Sequence, residues 1–295
     1  MPLISVIIPT YNRAHVLPNS IKSVLDQSFE DWELIVVDDG SEDNTKEMVE
    51  EFLMDSRVSY YFQKNKGVSE ARNHGAKISK GDYLIFLDSD DRLAKESIYH
   101  FRKKIKTTSF DVVFSWVKLI SEEKKSWEIK KMHKNYPCDK NDMPKGVYLP
   151  GAFCIKKELF FSVGSYDPNL HYGENTDLFL RLHIRKYSYG FVEYTSLLHF
   201  VGNKSGLSSN LKEILNSNLI LLEKHSEYFK KNSITYSSYL QVAGVCFLRF
   251  GKYSQASKCF WKAYRLNPRR ISSLSRWIVS KSSFLSNFFY PLKSI

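Results

Sequence analysis

The sequence predicts an α/β fold: an open, mostly parallel sheet with helices on both faces, followed by a C-terminal helical region. Three observations predict it. Short, continuous apolar runs recur at residues 4–9, 34–37, 58–62 and 83–87. The segments between them carry apolar residues at helical spacings of three and four. From residue 211 onward the periodicity is helical throughout. Strand and helix alternating at this spacing build βαβ units, and strands buried on both faces read as unbroken apolar runs.

Residues 4–9 form the first strand, which runs into Thr10-Tyr11-Asn12. Residues 14–27 place Val16, Leu17, Ile21, Val24 and Leu25 on one helical face. The second strand, 34–37, ends in Asp38-Asp39-Gly40-Ser41, and Ser41, Asp43 and Asn44 are suitable caps for a helix beginning at 45. Residues 58–62 are a third strand and 68–78 a third helix, with Gly81 expected at its C-terminal turn. The fourth strand, 83–87, leads directly into Asp88-Ser89-Asp90-Asp91. Residues 118–147 are lysine-rich and poorly periodic and read as an insertion or long loop. An apolar stretch at 148–155, a turn at 164–168, a helix at 176–186, mixed strand and loop at 191–200 and a loop at 202–210 follow. Residues 239–268 resemble one tetratricopeptide-type helical hairpin, with Gly251 at its centre. A single copy is no array, since stable arrays need about three repeats.

The 295 residues suit one large α/β domain with an appendage, divided here as 1–206 and 207–295. Hydrophobic residues at 43% exclude global disorder. The four cysteines lack metal-site spacing or a disulfide framework, which fits a reducing compartment. Residues 4–9 lack the basic and long apolar regions of a signal peptide, and no run of 18 apolar residues predicts a spanning helix. The net charge of +11 is unevenly placed. Residues 1–206 hold 29 Lys/Arg against 29 Asp/Glu, whereas 207–295 hold 14 against 3, with no acid after Glu227. A solvated lysine-rich helical face and an anionic partner, membrane surface or nucleic acid, both account for this asymmetry. The final stretch mixes Lys and Arg with Trp277, Phe284, Phe288, Phe289 and Tyr290. It reads either as a segment lying in a membrane interface or as a terminal helix packing its aromatics inward.

The chemistry concentrates in FLDSDD, residues 86–91. Three carboxylates in four positions repel one another, and a divalent cation among them makes the cluster favourable. Mg²⁺ or Mn²⁺ takes oxygen ligands, typically one or two carboxylates plus substrate phosphates. An EF-hand loop would need Gly and Glu where Leu93 and Tyr99 stand. Aspartate-nucleophile phosphatases follow DxD with Thr or Val, whereas Arg92 stands here. A nucleotidyltransferase of this topology would need a glycine-rich loop after the first strand, and PTYNRAH has no glycine.

SVIIPTYNR, VVDDGSEDNT, GVSEARNHGAKISKGDYLIFLDSDD and GAFCIKKELFFSVGSYDPNLHYGENTDLFLRL, in this order, resemble family 2 glycosyltransferases of the GT-A fold, over about residues 2–209. The resemblance implies a nucleotide-sugar donor, of UDP type, and metal-assisted transfer to an acceptor hydroxyl. It implies that Thr10 and Tyr11 line the base and ribose pocket and that Asp39 accepts a hydrogen bond from the base. Asp38 is left as the turn-forming partner. Arg72 is placed near the nucleotide, Asp88 and Ser89 at the ribose or metal shell, and Asp90 as the direct metal ligand, with Asp88 beside it. His199 falls where some GT-A enzymes add a metal ligand, although a lone His is more often structural. The sequence departs from the family near the acceptor, where Glu-Asp is usual and Glu174-Asn175 stands here. An amide cannot act as base, so the expectation passes to Glu174 or Asp177. An acid at Asp177 also suits a helix start.

The function expected on this basis is metal-dependent, inverting sugar transfer in polysaccharide or glycan assembly, onto a glycan or lipid-linked acceptor. The expected location is cytoplasmic, peripheral on the inner face of the plasma membrane. A catalytically degenerate nucleotide-sugar-binding module is the alternative. Nucleic acid is not an expected partner, because no reader motif is present.

Overall fold

Ile4–Thr10 (β1) is buried at every position, and its side chains alternate between two cores. Ile4, Val6 and Ile8 face one and Ile7 the other, which is why the run is apolar without interruption. The computed structural model describes residues 3–121, 123, 125–131, 148–201 and 210–292. Trp32–Asp38 (β2), Val58–Phe62 (β3) and Tyr83–Phe86 (β4) join β1 in parallel, in the order β3-β2-β1-β4. Arg92–Leu93 (β5), Val112–Ser121 (β6), Ser126–Lys130 (β7), Phe153–Lys156 (β8) and Tyr189–Val201 (β9) extend the sheet in mixed orientation.

Helices cover both faces. Leu17–Leu25 (α1), Thr45–Glu50 (α2) and Ser97–Thr108 (α4) contribute Leu17, Ile21, Val24, Val49, Ile98 and Phe101 to the first core. Val68–Ile78 (α3), Lys157–Ser162 (α5) and Glu174–Ile184 (α6) contribute Ala71, Ala76, Phe160, Leu178 and Phe179 to the second. The expected α/β sheet with helices on both faces is the observed architecture, with a parallel half and a mixed half.

Two expectations need correction. Residues 118–121 and 126–130 are not loop, since β6 runs to Ser121 and β7 returns against it. Lys118 and Ser121 fall on strands that read as polar because they are only half covered. The rest of the expected insertion, 132–147, and the loop at 202–209 lie outside the described residues. Gly81 is not a left-handed helix cap; a Cβ there would come within 2.5 Å of Ser5 Oγ and 2.7 Å of Ser5 N, so it serves close approach to β1.

The chain divides into two compact units. One holds β1–β9 and α1–α6. The other holds Asn169–Gly173 together with Leu211–Lys224 (α7), Ser226–Lys231 (α8), Ser233–Arg249 (α9), Tyr253–Leu266 (α10), Ile271–Val279 (α11) and Ser283–Phe289 (α12). The expected boundary at 206/207 falls outside the described residues. The helical unit closes on Leu215, Ala243 and Cys246, and separately on Leu248, Ala256 and Phe260. The hairpin expected at 239–268 is α9–α10, turned at Gly251 with φ of 68°. Among the described residues no helix is long and apolar enough to cross a membrane.

Candidate active site at the strand ends

Three polar clusters meet at the C-terminal ends of three adjacent parallel strands. Thr10 pairs in register with Asp38, and Ile7 with Phe86, so β2, β1 and β4 end side by side. The two outer strands are two spacings apart, about 10 Å. Ligands bind at such an edge in open α/β sheets.

Asp38 and Asp39 divide their work as their neighbours dictate. Asp38 Oδ1 accepts from Ser41 N at 2.8 Å and Oδ2 from the Tyr60 hydroxyl at 2.7 Å, an Asx-type turn tied to β3. Asp39 turns the other way. Its Oδ1 accepts from Gln63 Nε2 and Lys66 N, and its Oδ2 from Gly67 N, at 2.7–2.8 Å. A carboxylate offers about four lone-pair positions, so one remains on Oδ2. Gly67 is at φ of 90°, where glycine is favoured. Thr10 is buried, and its hydroxyl has no partner among the described residues, while Tyr11 is exposed.

The Asp88–Asp91 turn is closed by Asp91 N donating to Asp88 O at 3.1 Å. It is pinned from α1. Ser20 Oγ lies 2.7 Å from Ser89 O and 2.6 Å from Asp91 O, Leu93 N donates to Ser23 Oγ, and Gln27 Nε2 donates to Ala94 O. Ser20 and Ser23 stand three apart on one stripe of α1, and Gln27 follows just past the end of the helix. The sequence reading named only the apolar positions of this segment; the spacing of Ser20 and Ser23 was the signal for a second working face. Ser89, expected at the nucleotide, is buried, and its carbonyl is part of this clamp. Burial, and then the Asp88 charge, push Asp90 above the usual carboxylate range, and Arg13 opposes the shift.

Asp91 is 1% exposed. Arg92 pairs with Leu198 across β5 and β9, which sets Asp91 against His199. Both Asp91 oxygens lie 2.9–3.0 Å from His199 Nδ1, and Phe200 N donates to Oδ1. Burial raises Asp91 to about 6, with the His199 contact working against it. For His199 burial disfavours the charged ring, but Asp91, then Asp88 and Asp90, outweigh it and raise the imidazole. The long separation of residues 91 and 199 hid this pairing.

Arg72 joins the acidic turn to Glu174. Its guanidinium donates to Asp88 Oδ1 at 2.6 Å and to Glu174 Oε1 at 2.9 Å. The Arg72 side chain is 3% exposed, and burial alone would lower its pKa; Asp88 and Glu174 overcome this and keep it charged. The Tyr166 ring lies beneath it, 5.4 Å away. The Tyr166 hydroxyl donates to Asn175 Oδ1 at 2.8 Å, and Asn175 Nδ2 donates to Glu174 Oε1 at 3.3 Å. An aspartate at 175 could not donate to Glu174, so the amide suits its neighbours.

Asp177 does not fit the expected role of base. It is fully buried, and Arg181 Nε and an Arg181 terminal nitrogen hold Oδ2 at 2.9 and 2.8 Å. Arg181 also donates to the carbonyls of Val163 and Ser165, so the pair fastens α6 to the preceding turn. Glu174, with its side chain 14% exposed, is the one of the two candidates that reaches solvent.

The sequence model described as Glycosyl transferase family 2 matches residues 5–166. The chain belongs to glycosyltransferase family 2. An uncharacterized glycosyltransferase of Rickettsia conorii is 29% identical over 267 residues, covering 79% of this chain and 43% of its own length. The Campylobacter jejuni GalNAc(5)-diNAcBac-PP-undecaprenol beta-1,3-glucosyltransferase is 30% identical over 194 residues, 64% of this chain and 62% of that protein. The chain thus spans less than two thirds of the length of both relatives. A crystal structure of S. aureus TarS in complex with UDP-GlcNAc superposes with a TM-score of 0.68 at 16% identity, covering 96% of this chain and 91% of that one. This likeness shows a common GT-A fold.

The residues present fit a divalent cation held with the substrate's help. Among the described residues no three His, Cys, Asp or Glu side chains are grouped to enclose a metal. Asp88 and Asp90 nevertheless lie close enough for the charge of one to shift the other. Two carboxylates completed by water and phosphate oxygens is the usual arrangement for Mg²⁺.

Proposed function

We propose that this family 2 glycosyltransferase moves a sugar from a UDP-sugar to an acceptor hydroxyl in bacterial glycan assembly, with inversion at the anomeric carbon. The observation that carries the reading is that Asp39, Asp88 and Asp90 follow the ends of neighbouring parallel strands, with Arg72 of α3 bound to Asp88. In this reading the remaining acceptor position of Asp39 takes an N–H of the base, and Thr10 and Tyr11 line the nucleoside. Asp90 and Asp88 would hold Mg²⁺ or Mn²⁺. When bound, the cation supplies positive charge for the diphosphate leaving group. Arg72 keeps Asp88 and Glu174 in place and adds fixed positive charge near the site. Glu174 takes the proton of the acceptor hydroxyl as its oxygen attacks the anomeric carbon from the face opposite the diphosphate. The Campylobacter relative is named for a PP-undecaprenol-linked glycan, which supports a lipid-linked acceptor and a cytoplasmic, membrane-peripheral location here.

A donor screen with Mn²⁺ or Mg²⁺, run on the wild type beside Asp90→Ala, tests the reading. The substitution is expected to abolish metal-dependent binding of UDP. Unchanged donor affinity and turnover would overturn the assignment of Asp90. Asn175, an amide where the family usually has a base, favours a second reading as a nucleotide-sugar-binding module. Donor binding without turnover, with any acceptor, would support it.

A further inference from the structure

The last two helices are built with their polar side inward. α11 buries Ser273 and, just past its end, Ser280; α12 buries Ser286. Each of these hydroxyls has a partner. Gln241 Nε2 donates to Ser273 Oγ at 3.0 Å, Ser280 Oγ donates to Trp277 O at 2.6 Å, and Ser286 Oγ donates to Val279 O at 3.0 Å. Large apolar side chains on the same helices face solvent: Ile271 is 74% exposed, Phe284 77% and Phe288 71%, with Ile278 and Phe289 also more than half exposed. An amphipathic helix of a soluble domain does the reverse. Large exposed apolar side chains concentrated on two successive helices mark an interaction site.

Charge identifies the occupant. The sequence has no Asp or Glu after Glu227, while Arg269, Arg270, Arg276 and Lys281 lie in or beside α11. The partners that Arg270 and Arg276 find are neutral, Ser238 Oγ and Gln241 Oε1, so their charge is not cancelled. A second copy of this chain is a poor occupant, because a two-fold interface would set one cationic face against another. Single-stranded nucleic acid would stack on Phe284, Phe288 and Phe289 but leaves the exposed Ile271 and Ile278 without a role. Exposed Phe and Ile with Arg and Lys on the same segment match an anionic bilayer, which takes apolar side chains at its acyl boundary and cations among its phosphates. At nine and seven residues, α11 and α12 are too short to span and would lie in the plane of the surface.

We propose that the α11–α12 face docks this protein on an anionic lipid surface. The inference rests on the membrane-peripheral reading given above and names the surface that serves it. The test is co-sedimentation of the full chain with phosphatidylcholine vesicles, with and without phosphatidylglycerol, for the wild type and a Phe284→Ser/Phe288→Ser variant. Both side chains are exposed, so the variant is expected to melt with the wild type by circular dichroism. Wild-type protein is expected to bind the anionic vesicles at least about tenfold more tightly than the neutral ones, less tightly at high salt, and the variant to lose about tenfold. A second variant, Arg269→Gln/Lys281→Gln, is expected to lose the preference for phosphatidylglycerol. Equal binding by wild type and the serine variant, or no binding to anionic vesicles, overturns the proposal. So does a wild-type dimer in sedimentation velocity that the serine variant converts to monomer. Donor turnover measured on the same samples without lipid keeps the two readings apart, because loss of vesicle binding leaves it unchanged and failure of the enzymatic reading does not.

Discussion

Asp177→Asn separates a structural carboxylate from a catalytic one. The substitution keeps the shape of the side chain and removes the charge that Arg181 grips at 2.8 and 2.9 Å. Asp177 is fully buried and Arg181 is 16% exposed. Removing one partner of a buried pair costs about 3–5 kcal/mol, because the other charge is left uncompensated. Arg181 reaches some solvent and keeps the Val163 and Ser165 carbonyls, which places the cost at the lower end, about 3 kcal/mol. For a domain of about 150–250 residues each kcal/mol moves Tm by about 2–4 °C, so a fall of roughly 6–12 °C is expected. The assay is thermal unfolding by circular dichroism, paired with donor turnover at a temperature where both proteins are folded. Turnover of Asp177→Asn is expected to stay within about threefold of wild type, whereas Glu174→Gln is expected to lose at least about 100-fold in kcat. If Asp177→Asn melts like the wild type and loses turnover as far as Glu174→Gln does, Asp177 acts on substrate and the assignment to Glu174 is wrong.

Arg72→Lys keeps the charge but not the fork that reaches both Asp88 and Glu174. It is expected to weaken Mn²⁺-dependent UDP binding about tenfold, about 1.4 kcal/mol by calorimetry, and an unchanged affinity would remove Arg72 from the site. Ser20→Ala leaves the buried carbonyls of Ser89 and Asp91 without their hydroxyl donor, a loss of about 1–3 kcal/mol. Its expected signature is a lower Tm together with a higher Mn²⁺ requirement, and a change in Tm alone would mean that the clamp does not shape the acidic turn. Gly244→Ala brings a Cβ within 2.6 Å of Phe260 Cε1 and is expected to destabilise the α9–α10 hairpin by about 1–3 kcal/mol, read by chemical denaturation.

Legibility in the sequence followed the range of the interaction. β1, β2 and β4 were readable because each is buried on both faces, so their composition carries the signal position by position. The acidic turn at 88–91 was readable because its cost needs a reason. β7 was hidden because most of its residues are exposed, and its pairing with β6 uses backbone groups that every residue has. The Asp91–His199 pair depended on the register between β5 and β9, and a shift of one residue would have turned His199 to the opposite face.

The sequence by itself determined the alternation of strands and helices, the family, the acids at the strand ends and the concentration of positive charge after Glu227. These are properties of local composition and spacing, which each residue carries wherever the chain goes. Only the tertiary structure decided which carboxylates are available. Asp177 and Glu174 stand three positions apart on one helix, yet Arg181 claims the first inside the protein while Arg72, from α3, holds the second at the edge of the acidic site. The reason is that an ionisable group's role is set by burial and by the charges that folding brings within a few ångströms, and neither is written at the residue's own position.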